Sequence, residues 1–278
     1  MEAARPLREW RQQLAAELGT LSAAPELEAE RWLCRSLGWP RARLFARLDE
    51  ALPLPLDAAL WSRRLSGEPE AYLCAEAHFY GLALQVDPRV LIPRPDTECL
   101  VDIALGLPGL PAGSQVLDLG TGSGAIALAL ASERPDWQIT ATDASPAALE
   151  VAEGNARRLG VKVDFLNSDW WQGLPPTARW TLIVSNPPYI AEADPHLADL
   201  QHEPVSALVA TDQGLADLRQ LCAGAPKHLH PGGWVLLEHG ADQGPAVREL
   251  LRDQGFAEVR TEQDHAGHER VSLGRWHG

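Results

Sequence analysis

The chain contains the stretch Trp180-Thr-Leu-Ile-Val-Ser-Asn-Pro-Pro-Tyr189, and its pattern indicates an α/β fold. Residues 180–185 form an apolar, β-rich run bounded by turn residues, which is typical of a strand buried in a parallel sheet. The tetrapeptide Asn186-Pro187-Pro188-Tyr189 therefore follows the carboxyl end of a strand. In open α/β sheets, ligands bind at that edge.

The tetrapeptide is suited to holding a planar NH2 group, which makes Asn186, Pro187 and Tyr189 candidate catalytic residues. Both prolines fix φ and lack an amide donor, so the carbonyls of Asn186 and Pro187 stay outside any helix and remain available. With the Asn186 side-chain carbonyl, these oxygens can accept both hydrogens of one NH2 group. Tyr189 offers an aromatic face for stacking on the flat group that carries it. The alternative is that Asn186-Pro187 is a turn that only closes the strand.

Composition disfavours a nucleic-acid substrate. The chain has 278 residues, a formal net charge of −14 and a pI near 5.0, so a general affinity for phosphate backbones is not expected. The four cysteines form no C-x-x-C pair and indicate reduced thiols. No signal pattern opens the chain, and the longest small-apolar run, residues 125–131, is too short to span a bilayer. We expect a cytoplasmic protein without a membrane segment, and a monomer.

The sequence divides into three regions that differ in composition and in predicted secondary structure. Residues 1–70 are rich in Ala, Leu, Arg and Glu and predict a small helical domain. Residues 71–95 contain short β-rich runs, Phe79 to Val86 and Val90 to Ile92, which predict a β-hairpin linker. In residues 96–278, strands and helices alternate as in a doubly wound sheet. The predicted strands there are Gln115 to Leu119, Gln138 to Thr142, Lys162 to Leu166, Trp180 to Ser185, Trp234 to Glu238, Ala257 to Thr261 and Arg270 to Leu273.

Residues 91–98, Leu-Ile-Pro-Arg-Pro-Asp-Thr-Glu, connect the linker to the last region. Two prolines flanking Arg94 hold the segment extended. Asp96 or Thr97 is expected to cap the helix that runs towards Leu107. The segment can serve as an interdomain linker, as a pocket wall, or as both.

A Gly-rich turn follows the first predicted strand of the last region and suggests a cofactor site. It reads Asp118-Leu-Gly120-Thr121-Gly122-Ser-Gly124, and its spacing differs from the dinucleotide pattern G-x-G-x-x-G. Glycines let the backbone turn tightly and approach a ligand, although a purely structural turn has the same composition. Asp118 favours a cationic amino acid group, and S-adenosylmethionine carries an ammonium and a sulfonium.

Acidic residues also follow the next two strands. Asp143 can accept hydrogen bonds from ribose hydroxyls, or it can cap the following helix with Ser145. Asp169 can accept from an adenine amino group, and Trp170 can stack on the adenine ring or belong to the core. Because the carboxyl ends of parallel strands share one edge, these residues and Asn186 are expected to converge on one crevice.

Several segments along nearly the whole chain match one known family. They are Gly67-Glu68-Pro69, residues 91–98, Asp118 to Ala127, Val184 to Ile190, Glu203-Pro204, Leu236 to Gly240 and Glu269 to Gly274. On these residues the chain resembles the bacterial protein-(glutamine-N5) methyltransferases that modify peptide chain release factors, the HemK/PrmC family. The resemblance implies a class I methyltransferase fold, with a Rossmann-like seven-stranded sheet whose last strand is antiparallel and a helical N-terminal domain that helps dock the release factor.

The resemblance also implies the reaction. The methyl donor is S-adenosylmethionine and the product is S-adenosylhomocysteine, with no metal. The acceptor is the side-chain nitrogen of the glutamine in the release factor's Gly-Gly-Gln loop, a modification that modulates translation termination.

By position, the family's cofactor contacts fall on Gly120, Gly122, Asp143, Trp170 and Asn186. Its substrate motif falls on Asn186 to Tyr189, and Arg94, Thr97 and Glu203 lie in shared segments expected on the substrate side. One departure is Gln201-His202, which stands where an arginine and an aromatic residue are expected before Glu-Pro, in a slightly shorter loop. The shape of that substrate loop is therefore expected to differ.

Two other classes of function fit part of the pattern. An adenine-N6 DNA methyltransferase or a ribosomal RNA guanine methyltransferase can use the same acceptor oxygens on an exocyclic amine. The acidic charge disfavours both. A non-catalytic module that binds the cofactor or a partner protein is disfavoured by Asn186, Tyr189 and Asp143.

Overall fold

The computed structural model describes residues 4–53 and 56–278, so residues 1–3 and 54–55 of the predicted helical region lie outside the described part. The chain forms two compact units, Met1–Cys74 and Ala75–Gly278. The first unit thus extends to Cys74, past the boundary at residue 70 that composition suggested. Among the described residues, no helix combines the length and the apolar character needed to cross a membrane.

The N-terminal unit is helical. Its helices are α1 (Leu7–Leu18), α2 (Pro25–Leu37), α3 (Arg41–Ala46), α4 (Ala58–Leu65) and α5 (Glu70–Cys74), and a two-residue strand pair joins Arg5–Pro6 to Ala51–Leu52. Helix α2 begins with a proline and ends at Gly38, whose left-handed backbone terminates it. The core of the unit contains Leu14, Trp10 and Leu33, all with no exposed surface.

A short hairpin opens the second unit, but not where the sequence predicted it. Its strands are Ala77–Phe79 and Leu82–Leu84. Tyr80 and Gly81 both have positive φ, at 49° and 74°, as a two-residue hairpin turn requires. The predicted strands Phe79 to Val86 and Val90 to Ile92 were therefore wrong, because the chain already reverses at Tyr80-Gly81 and not at Asp87-Pro88.

A seven-stranded sheet forms the centre of the second unit. Its strands are β1 (Gln115–Leu119), β2 (Gln138–Asp143), β3 (Asp164–Asn167), β4 (Trp180–Ser185), β5 (Leu229–Glu238), β6 (Ala257–Gln263) and β7 (Glu269–Arg275). The spatial order is β6-β7-β5-β4-β1-β2-β3. Strand β7 runs antiparallel to both of its neighbours, while the other pairs are parallel. The predicted fold, with its antiparallel last strand, is confirmed.

Helices cover both faces of the sheet. They are α6 (Glu98–Gly106), α7 (Ala125–Glu133), α8 (Pro146–Leu159), α9 (Ala216–His228) and α10 (Gly244–Asp253). One apolar cluster joins α6 and α7 to the sheet through residues such as Leu100 and Leu128. A second cluster on the other face contains Leu221 and Leu251 of α9 and α10. The central strands β1 and β4 are buried on both faces and are almost continuously apolar, whereas the outer strands β3 and β6 are partly exposed and more polar.

The register of the central strands determines where the loops that form the site lie. Leu119 lies opposite Thr142 on one side and Ser185 on the other, and Ser185 lies opposite Leu237. The loops that follow β1, β2, β4 and β5 therefore leave the sheet at one level. The short parallel pair of Ile190–Ala191 and Val209–Ala210 extends the loop after β4.

Candidate active site

The Gly-rich turn packs closely against the loop after β3. Gly120 has a φ of 74°, and a Cβ added to it would lie 3.2 Å from the Trp170 ring. A glycine is needed there both for the left-handed backbone and for the close approach of the indole. Gly124 packs against the interior of the protein instead. A Cβ added there would lie 2.9 Å from Leu128 Cδ1.

Asp143 fastens the turn to the second strand. Its Oδ2 accepts from the Gly122 amide and its Oδ1 from the Ser145 amide, both at 2.9 Å. Burial raises the pKa of Asp143, while these two amides act in the opposite direction. Ser145 caps α8, since its Oγ accepts from the Ala148 amide at 3.2 Å. Asp143 therefore shapes the turn, and the capping role falls to Ser145.

Asp118 lies beneath the turn and has no exposed surface. Thr121 Oγ1 donates to its Oδ2 at 2.6 Å, while Oδ1 has no hydrogen-bond partner among the described residues. The sequence suggested that Asp118, Thr121 and Gly124 contact the cofactor. The structure places them behind the turn and not on a cavity wall, because the strand carries the Asp118 side chain into the buried layer.

Because Asp118 is buried, we expect it to make the free energy of unfolding depend on pH, and the direction of that change can be stated. Burial raises its pKa to about 7, against about 3.9 in an unfolded chain. Between these values the folded protein keeps a proton that the unfolded chain has lost, so stability is expected to fall as pH rises from about 4 to about 7. In Asp118→Asn this decline should be smaller, by up to about 1.4 kcal/mol per pH unit. Denaturant unfolding of both proteins across this range checks the difference, and equal slopes would contradict it.

The loop after β3 contributes the Trp170 indole and the Asp169 carboxylate, and helix α9 adds the carboxylate of Asp217 beside them. Trp170 adopts a φ of 47°, and its Nε1 donates to Asp217 Oδ1 at 3.1 Å. Asp169 Oδ2 accepts from Gln172 Nε2 at 3.0 Å. Asp217 lies in the first turn of α9, and burial raises its pKa. Asp217 could not be selected from the sequence, because an acidic residue in a first helical turn is common.

These residues line a cavity of about 380 Å³. The predicted cofactor residues on its wall are Gly120, Gly122, Asp143, Asp169, Trp170 and Asn186. With Asp217, the wall carries three carboxylates. Arg89 also lies on the wall, but its guanidinium pairs with Asp87 at 2.7 Å and Glu150 at 2.9 Å. The cavity is therefore suited to a ligand with positive charge.

A second cavity of about 290 Å³ lies next to the first. Its wall includes Arg94, Asp96, Pro187 and Tyr189. Asn186, Leu91 and Ala207 line both cavities. Asn186 thus stands where two ligands, one in each cavity, can meet.

Thr97 hydrogen-bonds to the Asn186 side-chain amide and so determines which of its atoms remains available to a ligand. Asn186 Nδ2 donates to Thr97 Oγ1 at 3.1 Å, and Thr97 is only 4% exposed. The Nδ2 group is occupied in this way, so Oδ1 is the atom left to accept a hydrogen bond from a ligand. The predicted capping of α6 by Asp96 or Thr97 was wrong, since neither side chain caps that helix. The Thr97 hydroxyl contacts the tetrapeptide instead.

Arg94, which is partly exposed, forms an ion pair with the buried Glu203. Arg94 bonds to Glu203 Oε1, and Glu203 Oε2 accepts from the Ile92 amide at 3.0 Å. Both oxygens of Glu203 are thus used within the protein, and the pair fastens residues 92–94 to the loop after β4. In that loop Gln201 is exposed and His202 is half-buried, with its Nε2 lacking a hydrogen-bond partner among the described residues.

Two side chains that the sequence did not single out hold Tyr189. Its hydroxyl donates to Glu238 Oε1 at 3.3 Å, and its carbonyl accepts from Gln243 Nε2 at 3.0 Å. Gln243 Oε1 accepts from the Gly240 amide at 2.9 Å, which fixes the carboxamide between two loops. Glu238 belongs to a segment that matched the family, but that match gave it no role.

A seven-stranded sheet in this order, reversed only at its last strand, is the class I methyltransferase fold, and this chain is a methyltransferase of that class. Residues 103–260 match the methyltransferase small domain and residues 7–74 match the PrmC N-terminal domain. The release factor glutamine methyltransferase of Vibrio cholerae is 50% identical, over 92% of this chain and 91% of that protein. The protein of the same name from Escherichia coli K12 is 46% identical over 100% of both chains. The chain therefore belongs to the release factor glutamine methyltransferase family.

Solved structures agree with the fold. A methyltransferase from Pyrococcus furiosus matches with a TM-score of 0.55 at 22% sequence identity, over 80% of this chain and 100% of that chain. At this level of identity the match describes the architecture alone.

Proposed function

We propose that the protein transfers a methyl group from S-adenosylmethionine to the side-chain nitrogen of the glutamine in the Gly-Gly-Gln loop of a peptide chain release factor. The product of the donor is S-adenosylhomocysteine, and the modified release factor acts in translation termination. The proposal is supported most directly by Asn186, which lines both cavities and presents a free acceptor oxygen between them.

The first cavity fits the methyl donor. Three carboxylates on its wall make the cavity electrically negative, which suits a donor with net positive charge, and the Trp170 indole provides a flat surface for a purine. Gly120 and Gly122 leave room for a ligand next to the backbone. When bound, S-adenosylmethionine supplies an electrophilic methyl group on a positively charged sulfur. Asp143 would hold the ribose hydroxyls, and Asp169 the adenine amino group.

The second cavity would hold the glutamine side chain. An amide nitrogen is a weak nucleophile, because its lone pair is delocalised into the carbonyl. Asn186 Oδ1 and the Pro187 carbonyl would accept the two N–H bonds, which increases electron density on nitrogen and fixes its orientation. Positioning and local electrostatics then supply most of the acceleration. As the nitrogen–methyl bond forms, the methyl–sulfur bond would break and leave its electron pair on a neutral thioether, and the nitrogen would release one proton to solvent.

The N-terminal helical unit and the net charge bear on the choice of binding partner. We propose that the helical unit, residues 7–74, contributes to docking of the release factor, and that the protein acts as a monomer in the cytoplasm. The net charge of −14 supports a protein substrate over a nucleic acid.

Gly120→Ala tests the geometry of the first cavity. The new Cβ would lie 3.2 Å from the Trp170 ring, so the indole must move. We expect the affinity for S-adenosylmethionine to fall roughly 5- to 30-fold, equivalent to about 1–2 kcal/mol. Isothermal titration calorimetry measures this change. Gly113→Ala is the matched control, because Gly113 has a φ of 78° and no atom within 4 Å of the added Cβ. Equal affinities of the two variants would contradict the prediction.

The reaction itself is tested with purified components. The protein is incubated with S-adenosylmethionine and a release factor, and the added methyl group is mapped by peptide mass spectrometry. We expect one methyl group on the glutamine of the Gly-Gly-Gln loop. Parallel reactions contain duplex DNA or ribosomal RNA in place of the release factor. Methylation of a nucleic acid, or of any other residue of the release factor, would overturn the proposal.

A further inference from the structure

Glu238 is a buried carboxylic acid behind the tetrapeptide. It is the last residue of β5 and is 1% exposed. The walls of the two cavities do not include it. It therefore does not touch either ligand, and any effect on the reaction must pass through its neighbours.

Two of those neighbours belong to the substrate side of the site. Tyr189 donates its hydroxyl to Glu238 Oε1 at 3.3 Å. The Thr97 hydroxyl, which holds the Asn186 amide, also faces Glu238, and its hydrogen bonding lowers the pKa of that carboxyl. Glu238 is thus the shared contact of the residue that holds Asn186 and the residue that ends the tetrapeptide.

Protein stability alone does not explain why a glutamate occupies position 238. Glu238 Oε2 is buried and has no hydrogen-bond partner among the described residues. A buried carboxyl with an unmet acceptor costs free energy, and an apolar residue of similar size at this position would avoid that cost. Such a cost is typical of functional sites.

We propose that Glu238 is a positioning residue for methyl transfer, which orients Asn186 through Thr97 and orients the Tyr189 ring through its hydroxyl. The inference rests on the proposed function, because it assigns Glu238 to the glutamine-binding side. It adds a structural reason for the carboxyl: one acid accepts from hydroxyls on two separate loops and keeps both at fixed distances.

The charge on Glu238 then affects the rate. The groups that face it are Arg270 of β7, Asp96 and Thr97 before α6, Cys99 within α6, and Tyr189. Burial raises its pKa to about 7, and Asp96 adds to this effect, while Thr97, Arg270 and Tyr189 lower the pKa. The ionised carboxylate is a stronger hydrogen-bond acceptor than the neutral acid, so protonation of Glu238 weakens the hydrogen bond from the Tyr189 hydroxyl. The kcat is therefore expected to rise with pH and to level off above about 7.

Glu238→Gln tests the inference without removing the shape of the side chain. We expect kcat with release factor to fall roughly 10-fold and the rise of kcat near pH 7 to disappear. The Kd for S-adenosylmethionine, measured by calorimetry, should stay unchanged. In the double variant with Tyr189→Phe, the two losses should be less than additive, since they act through one hydrogen bond.

Val271→Ala is the matched control. Val271 lies directly opposite Glu238 in β7 and is fully buried, so its truncation loosens the same part of the sheet. We expect a lower free energy of unfolding, with kcat and its pH profile unchanged. If Glu238→Gln keeps the wild-type kcat and pH profile, or if Val271→Ala reproduces its effects, the inference is wrong. If the wild type does not methylate a release factor at all, the proposed function fails instead.

Discussion

Asn186→Ala is expected to reduce kcat for glutamine methylation roughly 100- to 1000-fold, while S-adenosylmethionine still binds. Removing one preorganised acceptor or donor from an active site has an effect of this size. Asn186 Nδ2 is held by Thr97, so the lost Oδ1 is the atom proposed to orient the amide nitrogen. In the proposed site, cofactor binding would depend mainly on Asp143, Trp170 and the Gly-rich turn, which the substitution leaves in place.

Single-turnover kinetics with release factor and calorimetry with the cofactor separate the two effects. Gln254→Ala is the control, because it removes an exposed carboxamide at the end of α10. We expect that variant to keep both the rate and the affinity. An Asn186→Ala protein with full activity would remove the main support for the proposed mechanism.

Asp143→Ala is expected to affect the other cavity. Asp143 accepts from the amides of Gly122 and Ser145 and lines the cavity wall. Its loss removes hydrogen bonds to a charged group, both within the turn and to the proposed ribose, at about 1.5–3 kcal/mol each. The Kd for S-adenosylmethionine should therefore rise roughly 10- to 150-fold or more. Calorimetry measures the Kd directly, and kcat at saturating cofactor should change less than KM.

Asp136→Ala provides the comparison for Asp143→Ala. Asp136 precedes β2, lies at the opposite end of that strand, and pairs with Arg134 at 2.8 Å. Because it is far along the strand from the turn, its loss should leave the Kd unchanged. If both variants bind the cofactor like the wild type, Asp143 has no part in the cofactor site.

The central strands could be predicted from the sequence because strands that are buried on both faces consist mostly of apolar residues. Strands β1 and β4 begin and end at the predicted residues, Gln115, Leu119, Trp180 and Ser185. Strand β5 is longer than predicted and begins at Leu229. Its first half contains Pro231, Gly232 and Gly233, which lower strand propensity, and the sheet contacts outweigh this local preference.

Contacts between distant segments were not predictable in the same way. Thr97 looked like a helix cap because that role depends only on nearby backbone, yet its partner is Asn186. Glu238, Gln243 and Asp217 each act on a residue from another loop. No pattern within one segment distinguishes such residues from ordinary polar positions.

The amino-acid sequence was sufficient to predict the sheet, the Gly-rich turn and the rigid Asn186-to-Tyr189 loop and, through the resemblance, the family. The three structural features follow from local periodicity, from the fixed φ of proline and from the backbone freedom of glycine. The folded chain was needed to show that Asn186 stands between two cavities, that Asp118 lies beneath the turn, and that Glu238 contacts Tyr189 of the tetrapeptide. A side chain's role depends on the groups that surround it, and those groups come together only when the strand ends align.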